Sequence, residues 1–372
     1  MIEVRLVHNK KDLKKFVLFP FELYKNNPYW VPPIIAEEIA TLDQKRNPVF
    51  KNAEAQYFLA YKNGRIAGRI AVIVNRIEIE QQKKLKLRFG WFDVIDDLEV
   101  TRKLLEEAIK IGQAKKLSYL EGPVGFTNME KAGVLTMGFE EISTMITWYH
   151  YPYYAQHFEA LGFEKQATWV EFKMDILPKA TEKVVKFSKL IKERYGLSVM
   201  LFGHKKDILP YVDRMFELLN QTYSSLQSFV PIQPYQVAHY KEKYFKFIQP
   251  EYVTCVQDNH NELVAFAIVM PSFSKALQKA NGRIFPLGWY HIMKAQYKNN
   301  QAAFYLIGIH PEYQGKGVTA IIFEEIQNLF NRKGIVFGET NPELKENTAV
   351  QRLWKDFNPV QHKERSTYKK DL

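Results

Sequence analysis

The chain of 372 residues has one cysteine, no apolar run long enough to span a bilayer, and no close grouping of cysteine with histidine. The lone Cys255 has no intramolecular disulfide partner, and the valines around it in YVTCVQ suit a buried strand, so it reads as a packing residue rather than a nucleophile. A membrane span needs about 18 to 20 consecutive apolar residues, and the opening MIEVRLVHNKKDLKKF lacks the apolar core of a secretion signal. The expectation is a cytoplasmic protein with no membrane span and, without zinc-like ligand spacing, no metal. Acid is also in deficit: 41 Asp and Glu face 52 Lys and Arg, a formal charge of +11. That excess suits an anionic small molecule, an acidic acceptor, nucleic acid or a membrane surface, and does not choose among them. The basic residues are scattered. The tightest run, Lys83, Lys84, Lys86 and Arg88, reads as a solvated face, and no nucleic-acid motif accompanies it, so no nucleic-acid partner is expected.

Apolar residues make up 46% of the chain and aromatics 14%, enough for two cores, and the length suggests two domains. The most informative segment is YLIGIHPEYQGKGVTAIIFEEIQ, Tyr305 to Gln327: a buried-strand pattern, a proline turn, a two-glycine loop and an amphipathic helix in succession. Gly315 and Gly317 free the backbone to approach a ligand. The helix starting near Lys316 points its unpaired N–H groups at the same spot, where a phosphate or pyrophosphate fits. Its apolar face is Val318, Ile321, Ile322, Ile326, Leu329 and Phe330, and it ends at Arg332, Lys333 and Gly334. A buried strand, GIVFGET, follows.

The order strand, Pro311, Gln314, Gly315, Gly317, helix resembles motif A of the GNAT acyltransferases, with one departure: Thr319 brings a β-branched side chain where the family has a small residue. ELKENTAVQRLWKDF resembles motif B through Asn347, Ala349 and Val350, but Trp354 stands near the place of its proton-donating tyrosine. The resemblance implies an acyl-CoA co-substrate, acetyl-CoA or another. Its pyrophosphate would lie on the loop residues Gln314, Gly315, Lys316, Gly317, Val318 and Thr319, its pantetheine arm along Ile307, Gly308 and Ile309, with Asn347 a further contact. Asn347 reads equally well as a helix-cap or turn residue.

The N-terminal half reads as a worn copy of the C-terminal half. IEVRLV is matched by LSVMLF (197–202), each followed by KKD; AQYFLAYKNGRIAGRIAVIV, with a hairpin at Asn63 and Gly64, is matched by YVTCVQDNHNELVAFAIVM. GWFDVID and LEVTRKLLEEAIKIGQAKK repeat the strand-helix unit, and YYAQHFEALGFEK resembles the close of motif B. Where glycines should lie, the first copy has Asp96, Asp97 and Glu99, acids that cap a helix end and repel phosphate. The fold expected is therefore α+β, mixed α/β: two tandem GNAT-like domains, each a mixed, mostly antiparallel sheet flanked by helices. The boundaries read as a degenerate domain over 1–175, a linker helix over 176–196 and the acyl-CoA-binding domain over 197–372. Over nearly all its residues, through YKNNPYWVPP, KNGRIAGRIA and LEGPVGFTNMEKAG, the chain resembles bacterial tandem-GNAT proteins of similar length.

The resemblance implies direct N-acyl transfer to a small amine, with no covalent intermediate. A general base at the end of the central strands nominates Glu339, then His310 or Glu312; Tyr368 and Tyr305 are candidate proton donors. Each has a bland counterpart: a salt-bridged strand end, a residue before proline, or a packed aromatic. The aromatic groups at Trp30–Pro33, Trp148–Tyr154 and Pro286–His291 could line an acceptor cleft, or pack. Two alternatives remain open: a non-catalytic acyl-CoA-binding protein, and an aminoacyl-tRNA-dependent transferase. Acceptor, acyl length and oligomeric state are open.

Overall fold

The computed structural model describes residues 1–372 apart from 225, 227–228, 246–247, 352–353 and 355–356, and of 243–245, 349 and 350 only the backbone. In chain order the main elements are β1 (Ile2–Leu6), α1 (Lys10–Leu23), α2 (Ile35–Leu42), β2 (Ala53–Lys62), β3 (Arg65–Asn75), β4 (Lys86–Val94), α3 (Leu98–Ala114), β5 (Tyr119–Gly122) and β6 (Val134–Met137). Then follow α4 (Tyr153–Ala160), β7 (Glu164–Asp175), α5 (Glu182–Tyr195), β8 (Ser198–Leu201), α6 (Lys205–Tyr223), α7 (Pro234–Phe245), β9 (Val253–Gln257) and β10 (Leu263–Pro271). The chain closes with α8 (Ser274–Ala280), α9 (Gly288–Tyr297), β11 (Gln301–Ile309), α10 (Val318–Lys333), β12 (Phe337–Thr340), β13 (Glu343–Leu344), α11 (Thr348–Gln351) and β14 (Val360–Asp371).

These elements form two compact units. The first takes Met1–Val170, Phe273–Ile292 and His362–Leu372; the second takes Glu171–Ser272 and Met293–Gln361. The units are thus not contiguous halves: 273–292 and the final strand lie with the first. Helix α5 packs inside the second, where Ile191 joins Ile321, Ile322 and Val318 in the core and Lys192 pairs with Glu324 at 3.4 Å.

One topology occurs twice. In the first unit β1 to β4 pair antiparallel in order, β4 pairs parallel with β5, and β5 pairs antiparallel with β14. In the second, β8 to β11 pair antiparallel in order, β11 pairs parallel with β12, and β12 pairs antiparallel with the end of β7. Each is a mixed, mostly antiparallel sheet with helices packed on it. Local chemistry explains the elements. Asn63 (φ 51°) and Gly64 (φ 78°) are both left-handed, the geometry a two-residue hairpin needs, so Lys62 pairs with Arg65. Asp97 caps α3 by accepting the N–H groups of Glu99 and Val100, and pairs with Lys62. The expected stripe of α10 is buried from Val318 to Phe330, and Gly334 (φ 68°) ends the helix.

Two residues of the supposed solvated basic run are buried instead. Lys86 and Arg88 lie on β4 at about 1% exposure. Arg88 grips both oxygens of Glu78 at 2.6 and 2.7 Å, and Lys86 reaches Glu78 at 2.7 Å and Glu121 at 3.2 Å. A fully buried charge must be matched, and here four charged groups match one another, three from the sheet and Glu78 from the helical turn between β3 and β4. The Arg88 and Lys86 cations hold Glu78 below the usual carboxylate range despite its burial. Replacing Glu78 by Ala takes from buried Arg88 its carboxylate and leaves Lys86 with Glu121, and urea unfolding should show a loss of about 3–5 kcal/mol.

Candidate functional site

The second unit brings the glycine loop to the end of β11. Pairing of β11 with β12 covers Gln301–Phe304 against Phe337–Thr340 and stops there. On its other side β11 stays paired with β10 as far as Ile309 opposite Ala265, through a bulge at Tyr305, where the register shifts between Ile268 and Val269. Beyond Phe304, β11 therefore has no strand on its β12 side among the described residues. The His310 N–H reaches the Val264 carbonyl at 2.8 Å, so by strand alternation Gly308 also faces β10, while Ile307 and Ile309 face away. Two hydroxyls of α6 occupy the outward carbonyls: Tyr223 Oη donates to Ile307 at 3.0 Å and Thr222 Oγ1 to Ile309 at 3.2 Å. Among the described residues nothing takes up the outward N–H groups of Ile307 and Ile309, which stand as donors along this edge. Gly308, expected as a third contact, has a steric part: a Cβ there would lie 2.6 Å from the Phe266 ring.

The edge runs into the loop. Gln314 donates its side-chain amide to the Ile309 carbonyl at 3.1 Å, and Gly315 (φ 73°) and Gly317 (φ 82°) are both left-handed. The two glycines differ in role. A Cβ at Gly315 would meet nothing within 4 Å, whereas one at Gly317 would lie 2.6 Å from the Phe187 ring of α5. Gly315 is the open position, and Gly317 lets α5 pack against the turn. Gly317 is the N-cap of α10 and no side chain caps that end, so the first-turn N–H groups of Val318 and Thr319 point outward. Lys316 holds its ammonium over the rings of Tyr195 and Tyr313, at 5.4 and 5.2 Å, adding positive charge beside the loop. Thr319 is half-buried on the first turn.

The expected catalytic residues fall in different places. His310 accepts the Glu312 N–H at 3.4 Å, capping the short turn before the loop. Glu339 lies on the paired part of β12, between Ala303 and Lys173. That is four residues, about 13 Å along the strand, short of Ile307. Tyr368 belongs to the first unit, fully buried and stacked on Phe158 at 5.1 Å, its hydroxyl pushed up by burial. Asn347 precedes α11, and its carbonyl accepts the Gln351 N–H at 3.4 Å. Of the motif-B string, the side chains of Ala349 and Val350 lie outside the described residues.

The residue that sequence reasoning missed is Glu343. Where β12 turns away, Asn341 holds the turn with its N–H on the Phe304 carbonyl (3.2 Å) and its side chain on the Tyr305 carbonyl (3.0 Å). Two residues on, Glu343 accepts the Trp354 indole N–H at 2.6 Å through one oxygen, and its other oxygen is buried with no hydrogen-bond partner among the described residues. Burial pushes this carboxyl up to about 8. Trp354, which cannot donate an acidic proton, instead positions an acid, and is itself fixed against Phe304 (4.7 Å) and Phe323 (5.2 Å). Nothing in NPELKEN marks Glu343 as buried; the only signal is its nearness to the strand end.

In the first unit the corresponding edge is closed. Past Phe89, β4 is covered by Val124, whose N–H bonds the Phe89 carbonyl at 2.7 Å, and a Cβ on Gly90 would strike the Val124 carbonyl at 2.2 Å. Tyr154 Oη then accepts the Val94 N–H at 3.0 Å, and Tyr153 Oη donates to the Val94 carbonyl at 2.7 Å. With Asp97 capping α3, neither an open edge nor a bare helix end remains there. Trp30, Trp148 and Tyr149 line a small cavity within this unit, and Trp289 and Tyr290 are exposed.

Because the folded-state pKa of Glu343 lies above that of an unfolded glutamate, the folded chain binds more protons between about pH 4.5 and 8. The stability contributed by the neutral carboxyl is complete below about 4.5 and is lost as pH rises towards 8. Urea titrations should therefore show Glu343→Gln gaining on the wild type across that window and levelling off above it.

No protein-family profile matches the chain. It is similar to Protein YghO of Escherichia coli (strain K12), 26% identical over 99% of this chain and 95% of that one. It is also similar to the bacterial ceramide synthase of Caulobacter vibrioides (strain NA1000 / CB15N), 25% identical over 83% and 80% of the two chains. Among solved structures, a tandem GNAT protein from the clavulanic acid biosynthesis pathway aligns over 100% of this chain and 98% of its own, at a TM-score of 0.58 and 11% identity. At such identity the likeness speaks to the fold alone: the chain has the tandem GNAT fold.

Proposed function

We propose that the second unit transfers an acyl group from acyl-CoA to an amine by direct attack. The observation that carries the reading is the open edge of β11 leading into the Gly315 loop and the uncapped start of α10. An extended amide chain ending in a pyrophosphate matches that run of donors: the pantetheine arm against the Ile307 and Ile309 N–H groups, the phosphates at the helix end. The name of the Caulobacter relative is in keeping with amide formation, ceramide being an N-acylated amine.

In this reading Glu343 takes the place first given to Glu339. Its carboxylate removes a proton from the acceptor ammonium, and the freed amine nitrogen forms a bond to the thioester carbon. The oxyanion is held by an outward N–H of β11. As the carbon–sulfur bond breaks, the nitrogen gives up its second proton, which reaches the leaving thiolate through water, and Glu343 returns its own proton to solvent. A carboxyl pushed up to about 8 is a stronger base than an ordinary one and is ionised in a growing fraction of molecules as pH approaches 8. Lys316 and the loop supply charge and position.

Two measurements test this. Asn and Asp both tolerate the left-handed backbone at position 315 and differ there by one negative charge. Titration calorimetry with acetyl-CoA and with a long-chain acyl-CoA should show saturable binding that Gly315→Asn retains and Gly315→Asp weakens at least about tenfold by charge repulsion. No saturable binding of either ligand to the wild type would overturn the reading. With an amine panel, thiol release should rise with pH, reach half its maximum near 8 and level off above that. Glu343→Gln should lower turnover about 10²- to 10⁴-fold and abolish the rise, while Glu339→Gln keeps it.

A further inference from the structure

The segment from Ser272 to Asn300 is used by neither the site nor the mechanism, and its composition is one-sided. It carries Lys275, Lys279, Arg283, Lys294 and Lys298 and no acidic residue. All five cations are exposed. Between α8 and the end of α9 the same segment exposes Phe285 (76%), Leu287 (64%), Trp289 (45%), Tyr290 (44%), Met293 (40%) and Tyr297 (74%). These are six of the 17 exposed large apolar side chains of the described chain, gathered in 13 residues. Scattered exposed apolar residues need no explanation, but a rimmed cluster of this kind does.

Geometry makes the cluster a face. On α9, Trp289, Met293 and Tyr297 follow one another at steps of four, with Tyr290 beside them, while Gly288 and Ile292 are buried on the other side. The preceding turn is fixed, Trp289 Nε1 donating to the Pro286 carbonyl at 2.8 Å, so Phe285 and Leu287 project from an ordered base. The part from Phe273 to Ile292 belongs to the first unit and is anchored there: Gln278 donates to the carbonyls of Pro28 (2.7 Å) and Trp30 (3.1 Å), and the Gly282 carbonyl accepts the Ile35 N–H at 2.9 Å.

We propose that this face docks on the surface of an anionic lipid bilayer. Aromatic side chains with polar edges settle at the interface between headgroup and acyl chain, and Leu287 and Met293 add aliphatic surface that would find no base to stack on in nucleic acid. The lysine ammoniums stand on long stems that reach past the apolar face to phosphate groups. Charge also disfavours a second copy of the chain as the occupant, because two faces each carrying five cations and no anion repel. The chain is held on the membrane without crossing it: no helix among the described residues is long and apolar enough to span.

The test is co-sedimentation of the full chain with vesicles of phosphatidylcholine alone and of phosphatidylcholine with about one third phosphatidylglycerol. The expected result is partition onto the anionic vesicles that falls as salt is raised, a titration that needs no variant. A Phe285→Ser, Leu287→Ser, Trp289→Ser variant should lose at least about tenfold in partition and melt close to the wild type, since the changed side chains are exposed. Each Lys→Gln change at 275, 279 or 294 should weaken partition roughly fivefold. The proposal fails if the wild type stays in solution, if it binds neutral vesicles equally well, or if the triple variant binds as the wild type does. It also fails if light scattering shows a dimer, or titration shows single-stranded RNA binding, that the triple variant abolishes.

Discussion

β11 and β12 stay paired only as far as Phe304 and Thr340, and the chemistry available to the second unit depends on how the stranded backbone beyond that point is satisfied. A buried N–H or carbonyl without a partner is costly, so two strands can part only where something else takes up their groups. On the β11 side the answer is split. Hydroxyls of Thr222 and Tyr223 occupy the carbonyls, leaving a row of donors of one kind. On the β12 side Asn341 bridges back to Phe304 and Tyr305 and so directs the chain that carries Glu343. The opening, its polarity and the acid beside it are consequences of one interrupted ladder.

The first unit shows the same topology resolved the other way. Its parallel pair also parts, but Val124, Tyr153 and Tyr154 occupy the space and Asp97 neutralises the helix end. Its charges are turned inward as well, with Lys86 and Arg88 matched to Glu78 and Glu121 in the sheet interior. One copy has spent its polar groups on holding itself together; the other leaves them facing out.

Much of this was legible in the residues. The stripe on α10, the Asn63–Gly64 hairpin, the loop glycines and the acid cap of α3 each rest on local rules of period, handedness and capping, which need no tertiary context. What could not be read were properties created by neighbours. Gly315 and Gly317 look alike in the string, and only the approach of Phe187 separates them. The basic run containing Lys86 and Arg88 looks solvated because only the fold brings Glu78 and Glu121 against those two cations. Glu343 is one of three glutamates in eight residues, with Glu339 and Glu346, and only burial beside Trp354 sets it apart. Tyr368 reads as part of the second copy because sequence order does not reveal that β14 pairs with β5.

That last pairing has a consequence for synthesis. β14 lies beside Tyr119–Gly122 and Val134–Met137, yet more than 220 residues separate these strands in the chain, with all of the second unit between them. As the protein emerges from the ribosome, the first unit is made first but lacks the strand that buries Tyr368 and Arg365 in its interior. It must wait, with that side of its sheet unpaired, until translation has passed the whole of the second unit. The copy without an open site is thus completed after the other, and a chain cut short before β14 would release it unfinished.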